Sequence, residues 1–191
     1  MMFNILLDKL PQEWKGYPID TDFQIGIQMS QCLSNETLTD TEKFYAARGL
    51  LFPEEYPDNE DAAAAINWYM TEFNHDNHKE QKEDIVVMDW DIDQWRIYAA
   101  FRNQYGIDLN TEKLHWFQFM GLLSNLNECA FTRVMDIRQR KITSKMSAED
   151  KAALREVKKV YAIKPPEEQS ASPEEQAAIE EFLKYANIKR K

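Results

Sequence analysis

Residues 92–101 (IDQWRIYAAF) and 114–126 (LHWFQFMGLLSNL) are two helix-length runs whose apolar side chains recur around most of the helical wheel. A helix of that kind is stable only when other elements cover it on several sides. The pair therefore has to sit at the centre of a fold, with more polar elements packed around it. Between them lies Tyr105-Gly106-Ile107-Asp108-Leu109, where Gly106 suits a left-handed helix cap and Ile107 can fold back on the last turn. Ahead of them, Asp89, Asp91 and Asp93 alternate, and Asp91 is placed to cap the first helix, with its neighbours near the positive end of the dipole. A chain of 191 residues has enough length to bury one such core without dividing into two full domains.

Helix signals recur on both sides of this centre. Asp20 and Thr21 can cap a helix carrying Phe23, Ile25, Ile27 and Met29, despite Gly26 within it. Thr39-Asp40-Thr41-Glu42 has the capping-box pattern, and Ala62 to Phe73 reads as a further helix. Phe131, Val134, Met135 and Ile137 supply one stripe, and Ser147-Ala148-Glu149-Asp150 opens another helix with Leu154, Val157, Val160 and Tyr161. Near the start, Phe3–Leu7 and Tyr17–Ile19 around Pro11 and Gly16 suggest a small hairpin. The expected fold is mainly α: a compact multi-helix bundle over 1–164, with a short N-terminal β-hairpin in 3–19 and a polar loop at 74–84. A linker at 165–172 then leads to an amphipathic C-terminal helix at 173–191. That helix opens on Ser172-Pro173-Glu174-Glu175, and its narrow stripe of Ile179, Phe182, Leu183 and Ala186 must dock on something to be stable.

Charge is distributed unevenly. The net charge is −10, yet residues 1–90 hold 18 acids against 6 bases, and residues 131–164 hold ten bases against four acids, a local +6. A chain this acidic lacks the basic footprint that nucleic-acid binding requires, and the densest basic point, Arg138-Gln139-Arg140-Lys141, has no interleaved aromatics to stack on bases. Its asymmetry favours protein–protein pairing instead. The expected contact residues are Ile179, Phe182 and Leu183 for an apolar partner surface and Arg138, Arg140 and Lys141 for acidic groups. A homo-oligomer is compatible with the same pattern. No run of apolar residues is long enough for a membrane span, and Asp8 and Pro11 interrupt any signal-peptide core. With only Cys32 and Cys129 there is no disulfide framework, so a reducing cytosol is the expected compartment.

Residues that carry chemistry are sparse. His75 and His78 with Asp76 could approach a divalent cation, but two further ligands are lacking and a solvated loop explains them as well. The alternating aspartates lack the Gly and distal Glu of a calcium loop. His115 lies between Leu114 and Trp116 and reads as a satisfied, partly buried histidine. No phosphate cradle, nucleophile elbow or catalytic triad is present in the sequence. No enzymatic activity, metal or cofactor is expected.

The segments LPQEWKGYPIDTDF, YGIDL, LHWFQF and MDIRQR, with a late Val160-Tyr161, resemble the bacteriophage gene product fifteen family over most of residues 3–164. These boxes are caps, turns and core positions, so no catalytic residue is carried over. The resemblance implies a protein of the tail-morphogenesis region of phages with long non-contractile tails. It further implies a tail assembly chaperone in the host bacterial cytoplasm, with the tape measure protein or tail tube protein as partner. The alternatives are a structural tail completion or connector component of the virion, or a nucleic-acid-binding accessory protein.

Overall fold

The computed structural model describes residues 4–72 and 87–163. The expected polar loop at 74–84 with His75 and His78, the linker, and the C-terminal helix with Ile179, Phe182 and Leu183 all lie outside the described residues. The described residues fall into two compact units, divided between Lys141 and Ile142.

The first unit begins with a two-stranded antiparallel hairpin, β1 (Glu13–Trp14) and β2 (Tyr17–Pro18), in which Trp14 faces Tyr17. Its two-residue turn, Lys15-Gly16, has positive φ at both positions, 50° and 91°, the backbone that matches the twist of a tight hairpin. The hairpin is thus narrower than the sequence suggests. Residues 4–8 form a turn in which Asn4 and Asp8 bond each other, so they supply no strand.

Helices follow in the order α1 (Phe23–Ser34), α2 (Asp40–Leu51), α3 (Asn59–Thr71), α4 (Gln94–Tyr105), α5 (Trp116–Ser124) and α6 (Ala130–Gln139). α1 packs on α2 and α5, α2 on α3, and α4 on α6. Their starts are set by side-chain caps. Asp22, not Asp20 or Thr21, caps α1 by accepting from Gln24 N; Thr39 and Glu42 close the expected capping box; Asp58 caps α3 through Asp61 N. Asp91 does not cap α4. Instead Asp89 accepts from the N–H groups of Asp91 and Ile92, which shapes a turn before the helix, and Asp93 occupies the N-cap position without bonding the helix N–H groups through its side chain. α4 ends as expected on Gly106 in the left-handed conformation, φ 72°.

The core is aromatic. Phe119 stacks on Phe23 (4.7 Å between centroids) and on Phe101 (5.0 Å), with Trp116, Phe117 and Tyr69 buried beside it. Trp14 of the hairpin packs on Trp68 at 5.0 Å, and Lys15 Nζ reaches Asp61 at 2.6 Å, which fastens the hairpin to α3. Gly26 is required by close approach: a Cβ there would lie 2.1 Å from the Trp116 ring. The two helix starts that make this contact are joined by a single antiparallel bridge, Phe23 N to Leu114 O and Trp116 N to Thr21 O, at 2.9 and 2.8 Å.

In the second unit, α7 (Ala148–Val160) is capped by Ser147, which accepts from Asp150 N at 3.0 Å. Glu149 and Asp150 lie in its first turn and Lys158 and Lys159 in its last, each sign at the favourable end of the dipole.

Candidate interaction surface

α1 and α4 are held apart by what lies beneath them. α5 brings Phe119 up between the two helices, and Phe23 and Ile97 complete a floor. The result is an open groove of about 270 Å³. Gln24 and Ile27 of α1 form one wall; Gln94, Trp95 and Tyr98 of α4 form the other; Trp90 and Leu109-Asn110, from the loops on either side of α4, close the ends. Two hydrogen bonds fix one end in place: Trp90 Nε1 donates to Ser30 Oγ and Gln31 Nε2 donates to Asp91 Oδ1, each at 3.1 Å. Trp95 stands edge-on to Tyr98 at 6.2 Å and is 74% exposed.

None of the eleven lining side chains carries a charge. In a chain in which 29% of residues are charged, that is a selective depletion, and α1 itself (FQIGIQMSQCLS) has no charged residue. Charge depletion combined with exposed aromatics is the compositional mark of the buried centre of a protein–protein interface. An exposed Trp beside an apolar cleft is also the residue type that dominates binding energy at such centres.

A second cavity, about 570 Å³, is lined by Gln12, Asp20, Asp22, Lys113, His115 and Gln118 among others. Its histidine is structural. His115 is the N-cap of α5: Nδ1 accepts from Phe117 N at 3.0 Å, and Nε2 therefore carries the proton and donates to Pro11 O at 2.9 Å. Burial lowers its pKa below the usual imidazole value, and the bond to Pro11 opposes this only partly. Both ring nitrogens are engaged, which leaves no lone pair for base catalysis. Burial, with Asp20 and Asp22 nearby, pushes the Tyr69 hydroxyl above the ordinary phenol range, so it stays neutral. Among the described residues no group of His, Cys, Asp and Glu could hold a metal ion. No helix among them is long and apolar enough to cross a membrane.

The residues singled out from the sequence are placed differently from one another. Arg138 turns inward: it is 6% exposed and grips the fully buried Asp93 with both terminal guanidinium nitrogens, Nη1 to Oδ2 at 2.5 Å and Nη2 to Oδ1 at 3.2 Å. Arg140 is exposed and pairs with Asp136 one turn earlier, and Lys141 is exposed at the end of the first unit. The basic run 138–141 therefore presents two of its three cations outward. Trp95 was not among the expected contact residues, because α4 read as buried on most sides. Its register separates it from the core: Asp93, Ile97, Ala100 and Phe101 repeat at three- and four-residue steps and are buried, while Trp95 falls between them.

No curated protein and no solved structure matches the chain. A family model described as Bacteriophage Gp15 protein matches residues 6–163, which include the hairpin, the seven helices among the described residues and every residue of the groove. The chain belongs to the Bacteriophage Gp15 protein family, and that membership points to a structural or morphogenetic role in a phage.

Proposed function

We propose that this protein is a non-enzymatic tail assembly chaperone that shields an apolar helical segment of the tape measure protein, or of tail tube subunits, in the host bacterial cytoplasm. The observation that carries this reading is the charge-free aromatic groove between α1 and α4. A helix that is destined to be enclosed exposes apolar surface before its enclosure forms, and such surface aggregates unless a partner covers it. A groove with an exposed Trp at its edge covers one face of a helix while the acidic remainder of the chaperone keeps the complex soluble. Family membership supplies the phage context.

The test is co-expression with the tape measure and tail tube proteins of the same phage, followed by affinity capture and mass spectrometry of purified virions. The expected result is capture of one of them by the wild-type chain, weakened by Trp95→Ala, and absence of the chain from mature particles. Abundant peptides of this chain in finished virions would sink the chaperone reading in favour of a structural tail component.

A further inference from the structure

The charge around the groove restricts which helix it can take. The loop that supplies Trp90 also holds Asp89 and Asp91, and the loop that supplies Leu109 and Asn110 also holds Asp108 and Glu112 against one base, Lys113. Acids thus accompany the groove at both ends, while its lining is neutral. Asp91 accepts from the neutral amide of Gln31, and Asp108 accepts from the backbone N–H of Asn110 in its own loop. The surrounding unit reinforces this field, because residues 1–141 hold 24 acids against 13 bases, a net −11. We infer that the groove selects an amphipathic helix whose contacting face is uncharged and led by a large apolar residue, and whose flanks carry Lys or Arg. This rests on the groove being the client site proposed above and names the chemistry of its client.

Two features support that occupant over a second copy of the same unit. Two units each at net −11 repel as they approach, whereas a basic-flanked helix is drawn in by the same field. A charged contacting face would also have to shed its hydration against Ile27, Trp90, Trp95 and Tyr98 with no counter-charge in the lining to receive it.

The probe is a dye-labelled synthetic amphipathic helical peptide with a Leu/Trp face and Lys flanks, compared by fluorescence anisotropy with its Glu-flanked counterpart, using the full chain. The Lys-flanked peptide should bind at least about tenfold more tightly, with the preference shrinking as salt is raised. Trp95→Ala should weaken it by about tenfold or more. Gln24→Lys, which sets a cation on the α1 wall, should weaken the Lys-flanked peptide and leave the Glu-flanked one unchanged or tighter. Equal binding of both peptides, binding indifferent to Trp95→Ala, or self-association of the chain abolished by Trp95→Ala would overturn the inference. If the peptides fail but the tape measure or tail tube protein is still captured, this inference falls and the chaperone reading stands. If the Lys-flanked peptide binds through Trp95 but no tail protein is captured, the reverse holds.

Discussion

The carboxylate of Asp93 and the guanidinium of Arg138 meet out of water, at 2.5 and 3.2 Å, and tie the start of α4 to the end of α6. Arg138 also donates to Val87 O, and Arg96 adds a third guanidinium bond to Asp93 at 2.9 Å. Removing one partner of such a pair strands the other. Arg138→Ala should therefore destabilise the protein by about 3–5 kcal/mol, less whatever Arg96 recovers. Arg140→Ala, on an exposed pair, should stay within about 0.5 kcal/mol. Urea denaturation of the two variants checks the contrast, and equal effects would contradict the buried placement of Arg138.

Gly26→Ala should be destabilising even though alanine favours helices. The added Cβ would lie 2.1 Å from the Trp116 ring, and overpacking of this kind costs roughly 1–3 kcal/mol. Combining it with Trp116→Leu should be less harmful than the sum of the two changes, since the smaller side chain makes room for the methyl group and the methyl group fills part of the space left. Strict additivity in thermal or urea unfolding would show that the contact is not responsible.

His115 gives the fold a pH dependence whose sign is fixed by burial. Its folded-state pKa lies below the unfolded value of 6.5, so the unfolded chain takes up a proton first on acidification. The stability it contributes is fully present above about pH 6.5 and falls as pH drops toward the folded-state value. His115→Asn keeps an acceptor for the helix start but cannot titrate, and should flatten this part of the stability–pH curve. An unchanged slope in that variant would assign the dependence to other groups.

Trp95→Ala should leave stability nearly unchanged, within about 0.5 kcal/mol, because the indole is 74% exposed. Phe119→Ala, beneath the same groove and fully buried, should cost about 3–5 kcal/mol. Comparable losses for both would show that Trp95 is a packing residue.

Local chemistry was legible where it is self-contained. The Thr39 capping box, the Ser147 cap and the Gly106 terminus each depend on a few neighbouring residues, and the sequence displays all of them. Long-range geometry was not. Asp93 reads as one more acid near the positive end of the helix dipole until Arg138, forty-five residues later, is seen to claim it. Gly26 looks like a weak point in α1 until Trp116 is laid against it, and Trp95 looks like core until its register is compared with that of Ile97 and Phe101. For Asp93 and Gly26 the deciding partner sits on another helix, where no local pattern records it.

The bridge between Thr21–Phe23 and Leu114–Trp116 has a bearing on how the chain is made. The Gly26 face of α1 has no cover until Trp116 has left the ribosome, so the N-terminal helices must wait, partly bare, for more than half of the protein to be synthesised. A translation product that stops before residue 114 would keep those helix signals and lack the ring that closes over them.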